Sequence, residues 1–339
     1  MRFYRSGSFV VRASGEWRTH RWIRKTGNRL LLNTDTKMEN IVMKKRICEG
    51  IMAALLVISL AGCGSSGSGS LPGDIGSVEG DQTQILYSNF TDVDSQNEIV
   101  GILQEHGVDQ EQTSTLLAWA DDFNSRVTKP PLPEGFVEMN GDYVDYSGLL
   151  FDYKELPDGT FFSEANCRLT AYLLMKDLIQ TNGAAEEGDT YLMFDIEAID
   201  TQEEYQLSRE KREDFITLYN NVSIEGTNTL DEHVEKIKEA WTARKIEIDR
   251  TSGISLIEVY LHSTFDDVRF VGHTGVLVEN ENGLLFVEKY GPEAPFQATR
   301  FHNRSELKKY LLARPDLYGE ETELPPIVME NGEVLDQEI

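Results

Sequence analysis

Three residues in the second half of the chain have the types and spacing of a nucleophilic site, beginning with Cys167. The segment FFSEANCRLTAYLLMKDLI, residues 161–179, predicts an apolar helix with this thiol near its start. If Ser163 is the N-cap, Cys167 lies in the first turn, where unpaired N–H groups and the helix dipole favour a thiolate. Cysteine is also often buried as a small hydrophobic residue, so the helix alone equally fits a packing role.

His273 supplies the second group and Glu288 the third. The strand VRFVGHTGVLVE carries the histidine, and GLLFVEKY follows it after NENG, which predicts a hairpin with a two-residue turn at 281–282. In that register His273 lies opposite Tyr290 and diagonal to Glu288 on one sheet face. Gly275 is expected to leave room beside the imidazole. A thiol, an imidazole and a carboxylate are the nucleophile, base and orienting group of a cysteine hydrolase.

Residues next to these three are candidates for substrate binding, and each has a second interpretation. Asn166 can donate its amide to an oxyanion or cap the helix. Arg168 can hold a substrate carboxylate or face solvent. Tyr290 can hydrogen-bond the site or pack. Glu288 itself can orient His273 or form a surface pair with Lys289.

The other histidines do not assemble into a second site. His262 is a reserve candidate for the base, whereas His106, His233 and His302 are expected at the surface or at helix ends. The acidic run DVDSQNE lacks the glycine and the terminal glutamate of a calcium loop, and the sequence contains neither a Gly-rich phosphate loop nor HExxH. We therefore expect no metal and no cofactor.

The N-terminal part of the sequence carries an export signal. From Met43 it reads MKKRICEGIMAALLVISLAGC, a basic start, an apolar run too short to span a membrane, and then LAGC. This ending resembles a bacterial lipobox, which implies a signal peptide and lipidation of Cys63. Residues 1–42 show no pattern of a packed element and are interpreted as an over-extended start, with Met43 as the initiator. The Gly/Ser-rich residues 63–82 are expected to form a flexible tether.

Charge and cysteine usage exclude several classes of protein. Residues 1–62 hold 12 of the 32 Lys and Arg and 4 of the 58 Asp and Glu, so the remainder carries 20 and 54, a net charge of −34. A surface of that sign repels nucleic acid and anionic lipid, so the expected attachment to the membrane is the lipid itself. With Cys48 in the signal and Cys63 lipidated, Cys167 remains alone and no disulfide framework is possible.

The order of predicted elements indicates an α+β fold. A helical hairpin comes first and ends at the proline-rich break KPPLPEG, followed by a turn-rich stretch and the helix of Cys167. TYLMFDIEAID predicts a strand, and two charged amphipathic helices follow. Four strands in close succession, a last helix and an acidic tail complete the chain. Helices and strands are segregated, as in α+β proteins with an antiparallel sheet.

The segments NCRLTAYLL and GHTGVLVENENGLLFVEKY resemble the papain-like fold, in particular compact bacterial cell-wall amidases and peptidases. Over most of residues 83–315, NCRLTA, HTGVLV, FVEKY and PFQATRF also resemble a family of bacterial lipoproteins known as domain of unknown function 4300. That family brings no established activity. The papain-like enzymes usually have Asp-Cys-Ser where this chain has Asn166-Cys167-Arg168, and His, Asn or Gln where it has Glu288.

These features together predict a division of the chain and a function. The division is an extension with signal peptide (1–62), a lipidated cysteine with tether (63–82), a helical subdomain (83–130), a papain-like domain (131–318) and an acidic tail (319–339). The function expected is a membrane-anchored, extracytoplasmic cysteine hydrolase or acyl transferase that acts on an amide or ester, for example in a cell-wall peptide. The alternative is a non-catalytic lipoprotein that binds a ligand or partner on the same scaffold.

Overall fold

The computed structural model describes residues 84–335, apart from 158 and 282, and the backbone of two earlier strands, β1 (Ser6–Ala13) and β2 (Glu16–Ile23). The predicted signal peptide, Cys63 and the tether lie outside the described residues. β1 and β2 pair antiparallel, where we had expected no packed element. Their aromatic and β-branched residues are typical of strands, whereas the position of the true start stays a prediction.

Seven α-helices lie within the described residues: α1 (Val93–Glu105), α2 (Gln110–Arg126), α3 (Cys167–Met175), α4 (Met193–Thr201), α5 (Arg209–Tyr219), α6 (Leu230–Arg244) and α7 (Arg304–Ala313). Six of them begin after a polar side chain that accepts a hydrogen bond from the first turn. These caps are Asp92, Asp109, Asn166, Ser208, Thr229 and Asn303.

The predicted strand TYLMFDIEAID is wrong, because this segment forms a 3-10 turn (Thr190–Leu192) that continues into α4. Asp189 starts the turn by accepting a hydrogen bond from the Tyr191 amide at 2.9 Å. Leu192, Ala198 and Ile199 are buried, at the spacing of one helix face rather than the alternation of a strand.

A nine-stranded antiparallel sheet forms the centre of the fold. Its strands are β3 (Leu86–Ser88), β5 (Val137–Glu138), β8 (Val222–Ser223), β10 (Ile254–Ser263), β11 (Val268–Asn280), β12 (Gly283–Lys289), β13 (Phe296–Phe301), β14 (Ile327–Glu330) and β15 (Glu333–Val334). The order is β15-β14-β10-β11-β12-β13-β3-β5, with β8 paired to β11. Two further antiparallel pairs join β4 (Val127–Lys129) to β6 (Leu150–Phe151) and β7 (Ile179–Gln180) to β9 (Glu247–Ile248).

The four strands predicted in succession are β10 to β13, and the hairpin register between β11 and β12 is the predicted one. Asn280 pairs with Gly283 and Val276 with Val287. The strands β14 and β15 lie in the segment that we predicted as an acidic tail. The apolar residues of Ile327–Glu330 pair with β10 and extend the sheet.

The two faces of the sheet bury separate hydrophobic cores. One core joins α1 to α6 to sheet residues such as Val276 and Val287, and the other joins α7 to Leu277 and Phe286. Alternation of side chains along each strand produces this division. The helical hairpin α1–α2 shares the first core with α3, so the proline-rich break connects parts of one compact unit, 78–339, rather than separating two cores.

None of the helices within the described residues is both long and apolar enough to cross a membrane.

Candidate active site

Cys167 is the first residue of α3, which packs on β11 and β12. The N-cap is Asn166 and not Ser163: its Oδ1 accepts a hydrogen bond from the Leu169 amide at 3.0 Å. The thiol therefore lies at the very start of the helix, at the positive end of the dipole. Its side chain is buried, with 8% of the residue exposed.

His273 lies on β11 beside an irregularity of the strand. Val259 of β10 pairs with His273, whereas the next residue, Tyr260, pairs with Val271, so Gly272 is left unpaired in a bulge. A Cβ at Gly272 would lie 2.2 Å from the Leu261 side chain, so a larger residue in the bulge would force that leucine to move. The bulge sets the direction of the histidine, whose side chain is buried on the face of the sheet that α7 covers.

The imidazole is held at one nitrogen. Nε2 lies 2.6 Å from Glu288 Oε2 and 3.2 Å from Arg314 Nη1, and the charge of the carboxylate favours the proton of a neutral ring on Nε2. Cys167 and His273 are near enough to shift each other's pKa. Because Glu288 and Arg314 both meet Nε2, Nδ1 is the ring nitrogen that is available to a thiol. The structure contains the contact between His273 and Glu288 that the hairpin register predicted.

The surroundings of Cys167 and His273 shift the pKa of each group toward its charged form. Burial raises the pKa of Cys167, but the hydrogen bond and charge of His273 and the charge of Arg168 outweigh it, so this pKa lies below its ordinary value. Burial and Arg314 lower the pKa of His273, but Glu288 and the hydrogen bond with Cys167 leave it raised. A lowered thiol pKa and a raised imidazole pKa both stabilise the thiolate–imidazolium form.

Glu288 is completely buried and has several partners, so the surface pair with Lys289 is wrong. Arg314 Nη1 donates to its Oε2 at 2.7 Å, and Tyr310 Oη donates to its Oε1 at 2.5 Å. Burial raises the pKa of Glu288, but Arg314, His273 and Tyr310 together hold it below its ordinary value. The carboxylate is therefore charged and fixed. Lys289 is the next residue of the strand and faces the other side of the sheet, where its ammonium lies 3.6 Å from the centre of the Phe123 ring.

A chain of hydrogen bonds continues beyond Glu288 and fixes Tyr310. Gln297 Nε2 donates to Tyr310 Oη at 2.9 Å, and Tyr146 Oη donates to Gln297 Oε1 at 2.7 Å. Asn89 Nδ2 donates to Tyr146 Oη at 2.7 Å. Strands β12 and β13, helix α7 and the segment around residue 146 all contribute to this buried network, which holds the acid of the site in one orientation.

Asn166 and Arg168 are both held by Asp195 of α4. Asn166 Nδ2 donates to Asp195 Oδ1 at 2.7 Å, and Arg168 donates to both carboxylate oxygens, at 3.1 and 2.6 Å. Arg168 also donates to the carbonyls of Val271 and Tyr191. The Asn166 amide and the Arg168 guanidinium are therefore both engaged by groups of the protein, and Arg168 does not project into solvent or an open site.

Tyr290 packs at the edge of the site. The Arg314 guanidinium lies 3.6 Å from the centre of its ring, and the Tyr146 ring meets it edge-on at 4.8 Å. The Tyr290 carbonyl accepts a hydrogen bond from Arg314 Nη2 at 2.9 Å. This tyrosine thus helps to hold Arg314 against Glu288.

Gly275 does not leave space beside the imidazole, as we had expected. A Cβ there would lie 2.4 Å from the Phe286 ring and 2.8 Å from the Val287 carbonyl oxygen. The glycine accommodates the ring of a residue on the adjacent strand. Its contribution is to the packing under α7 and not to the histidine.

The other histidines lie away from Cys167. His106 and His302 bond near helix ends, as expected. His233, expected at the surface, is buried and accepts a hydrogen bond from Arg269 Nε at 3.0 Å, and burial lowers its pKa to about 4. His262, the reserve base, accepts a hydrogen bond from the Leu324 amide at 2.8 Å.

A cleft of about 510 Å³ is lined in part by Phe162, Glu164 and Ala165, from the segment that leads into the helix of Cys167. Its walls include the aromatic residues Trp119, Phe162, Tyr205 and Phe296. Ala165, two residues before Cys167, lines the cleft, and so does the buried Lys289, which interacts electrostatically with the cysteine. Within residues 84–335 as described, no group of His, Cys, Asp and Glu has the arrangement of a metal site.

Arg314, Tyr310 and Asp195 are site residues that were not predicted from the sequence. The first two had a detectable signal, since Leu307, Tyr310, Leu311 and Arg314 share one face of the predicted last helix. A polar pair on an otherwise apolar face indicates a buried partner. Asp195 had no such signal, because its segment was assigned to a strand.

One comparison with known proteins gives a match. The family model described as Domain of unknown function (DUF4300) matches residues 86–335, most of the chain. Comparison with curated proteins and with solved structures gives no match.

Proposed function

The chain belongs to the DUF4300 family, whose description assigns no activity, and from the geometry of the site we propose that it is a cysteine hydrolase or acyl transferase. Its nucleophile is Cys167, its base is His273 and its orienting acid is Glu288. The observation that carries the proposal is the buried pair of His273 and Glu288, with 2.6 Å between Nε2 and Oε2, near a thiol whose pKa the histidine lowers. A structural cysteine has no need of a histidine whose second nitrogen is held by a buried carboxylate.

The first half of the reaction is the attack of the thiolate on the carbonyl carbon of an amide or ester. Nδ1 of His273 takes the thiol proton, and the S–C bond forms as the carbonyl π electrons move to oxygen. When the tetrahedral intermediate collapses, the C–N or C–O bond breaks and the imidazolium gives its proton to the leaving group. The product is a thioester on Cys167. Glu288 stabilises the imidazolium throughout, because its charge lies 2.6 Å from Nε2.

The second half transfers the acyl group. A water molecule, or an acceptor amine or alcohol, loses its proton to His273 and attacks the thioester carbon. The C–S bond then breaks, and the thiolate and imidazolium are restored. Water gives hydrolysis and another acceptor gives transfer, so one site supports both outcomes.

The start of α3 is the best candidate for oxyanion stabilisation. The first N–H groups of a helix have no hydrogen-bond partner within the helix. Of these, the Leu169 N–H donates to the Asn166 side chain. The backbone N–H groups of Cys167 and Arg168 are left as candidate donors to an oxyanion at the positive end of the helix dipole. The Asn166 side chain is excluded from this role by its bond to Asp195.

Alkylation of Cys167 tests the proposal directly. The full-length chain is treated with iodoacetamide at about pH 7, where an ordinary thiol is mostly protonated, and mass spectrometry follows the Cys167 peptide so that other cysteines do not interfere. We expect His273→Ala to slow the alkylation by at least about tenfold, because it removes the group that lowers the thiol pKa. His262→Ala, which alters a histidine away from the site, is the matched control and should leave the rate unchanged. Slow alkylation that is indifferent to His273 would exclude an activated nucleophile.

We also propose that the protein is a bacterial lipoprotein of papain-like type, exported and anchored at the outer face of the cell membrane through Cys63. The signal-like segment and LAGC support this, together with a helix that has a cysteine at its start and packs on an antiparallel sheet. Metabolic labelling with a fatty-acid analogue should modify the wild type and not Cys63→Ser. Equal incorporation in both would contradict lipidation.

One observation favours a second candidate, a non-catalytic binding protein on the same scaffold. The cysteine is 8% exposed, whereas an aromatic cleft stands open beside it. In that case ligands bind equally to the wild type and to Cys167→Ala, and the alkylation rate is that of an ordinary buried thiol.

A further inference from the structure

The cleft beside Cys167 is occupied by an ammonium group of the chain itself. Lys154 Nζ lies 4.3 Å from the centre of the Phe162 ring, a cation–π distance. It also lies 3.8 Å from Asp122 Oδ1 and 3.6 Å from Glu204 Oε1. Both separations exceed a hydrogen bond, and the side chain is 38% exposed. The ammonium is thus attracted to this place without being locked there.

The walls of the cleft suit a cation. Two aromatic pairs build them: Trp119 meets Tyr205 edge-on at 4.9 Å, and Phe162 lies 5.6 Å from Tyr205. Aromatic faces and carboxylates both attract positive charge, and more strongly where water is partly excluded. Four carboxylates line the same space, namely those of Glu111, Asp122, Glu164 and Glu204.

The other cations of the region compensate only part of this attraction, since Arg126 pairs with Asp122 at 2.8 Å and with Glu164, whereas Glu111 and Glu204 have no such partner in Arg126. Arg126 donates to both oxygens of Glu164, at 2.7 and 2.8 Å, and is turned toward that wall. Lys289, at the floor of the cleft, is completely buried, and burial holds its pKa well below the ordinary value.

The cleft is also placed to serve the thiol. Ala165 of the lining is separated from Cys167 by one residue, and the charge of Cys167 influences the pKa of Lys289, which also lines the cleft. A group bound over Phe162 would hold the rest of a peptide close to the start of α3.

We infer that the cleft binds the ammonium group of a ligand in the place that Lys154 occupies. Resting on the proposed function, the substrate of Cys167 is then a peptide that has a lysine-type side chain or a free amino group near the bond that is cut. Lys154 is a competitor within the chain. It moves into solvent when the ligand ammonium takes its position over Phe162.

Calorimetry with two probes tests this inference in the full-length Cys167→Ser protein, which cannot turn over. The probes are Nα-acetyl-lysine methylamide and its neutral counterpart Nα-acetyl-norleucine methylamide. We expect the lysine probe to bind about tenfold more tightly than the norleucine probe. Lys154→Met removes the competing charge but keeps the aliphatic chain, and should tighten binding of the lysine probe about fivefold. Glu204→Gln should weaken it.

Lys236→Met is the matched control, since Lys236 is also 38% exposed in its ion pair with Glu239 but lies on α6. It should change neither affinity. Equal affinity of the two probes, or weaker binding of the lysine probe by Lys154→Met, would overturn the inference. The binding experiment involves no reaction, so its result is independent of the alkylation experiment. Selective binding of the lysine probe by a protein without an activated thiol would support the cation-binding cleft and contradict the proposed enzyme. An activated thiol without selective binding would support the enzyme and contradict the proposed substrate class.

Discussion

The guanidinium of Arg314 and the carboxylate of Glu288 form an ion pair in which both side chains are completely buried. Nη1 of the arginine donates to Oε2 at 2.7 Å, and its Nη2 donates to Asp316 Oδ2 at the same distance. Because the end of α7 brings the arginine and β12 the acid, the pair links the last helix to the sheet at the candidate site. Removing the arginine alone leaves the buried carboxylate without the guanidinium that balances its charge, although His273 and Tyr310 still contact it, and this is costlier than removing both charges.

Arg314→Met should therefore destabilise the fold strongly, by about 3–5 kcal/mol, measured as the free energy of unfolding in urea. The double variant Arg314→Met with Glu288→Gln should lose less than the single one, since no charge is left unpaired. Arg209→Met, which breaks an exposed pair with Glu213, is the control and should change stability by less than about 0.5 kcal/mol. A single variant as stable as this control would contradict the coupling.

The rate of alkylation of Cys167 should depend on pH through the charges of the site. The rate rises as pH passes the thiol pKa, and His273 with Arg168 holds that pKa below the ordinary 9.0. In His273→Ala, burial remains and the counter-charge is gone, so the midpoint of the pH profile should move above that of wild type. The measurement is the rate constant between about pH 5 and 10, a range that brackets ordinary and lowered thiol pKa values. Superimposable profiles would show that the imidazole does not tune the thiol.

Because Glu258 is buried with a raised pKa, we expect the free energy of unfolding to decrease as pH rises. Glu258 is completely buried on β10, and burial raises its pKa from 4.5 to about 8. Between these two values the folded protein keeps a proton that the unfolded chain releases, so stability is fully present below pH 4.5 and falls as pH rises toward 8. At about pH 7 the loss amounts to roughly 3 kcal/mol, at about 1.4 kcal/mol for each pH unit.

Glu258→Gln removes this titration. The difference in unfolding free energy between variant and wild type should therefore grow in favour of the variant from about pH 5 to about pH 8, the range in which the folded wild type retains the proton. Urea unfolding at several pH values measures it. A difference that is constant across this range would mean that Glu258 is ionised in the fold.

Gly275→Ala should destabilise the protein by about 1–3 kcal/mol, because the added methyl group meets the Phe286 ring and the Val287 carbonyl. Phe286→Leu in the same chain should recover only part of the loss, since the contact with the carbonyl persists. Gly101→Ala is the control, because nothing lies within 4 Å of its Cβ position in α1. It should be neutral or stabilising by up to about 1 kcal/mol. Thermal unfolding that ranks the two alanines equally would contradict the steric conflict at Gly275.

The central hairpin could be predicted because its geometry is local. A two-residue turn and the alternation of β12 fix the register, and the register alone brings Glu288 within reach of His273. The first turn of α3 is likewise encoded by a short sequence. The hairpin was sufficient to predict the contact between the imidazole and the carboxylate, and the helix to predict the thiol near its first turn.

The supports of the site could not be predicted in the same way. Arg314 lies 26 residues from Glu288, and nothing in the periodicity of α7 specifies which face of the sheet it covers. The strand predicted at residues 190–200 was a helix, since Leu192 and Ile199 also fit an apolar strand when short segments are considered alone. Because of this error, Asp195 was not recognised as the hydrogen-bond partner of Asn166 and Arg168, the residues on either side of Cys167. Contacts between distant segments depend on packing that a linear pattern does not contain.

The short strand Ile327–Glu330 covers the main-chain groups of β10 from Ile257 to Tyr260. A chain shortened before residue 327 would present these residues as a free sheet edge, which is a template for pairing with other molecules. Proteolysis near the C-terminus would therefore do more than remove two strands. It would convert a covered strand into one that recruits further copies of the chain, so that aggregation rather than loss of activity would be the first visible effect.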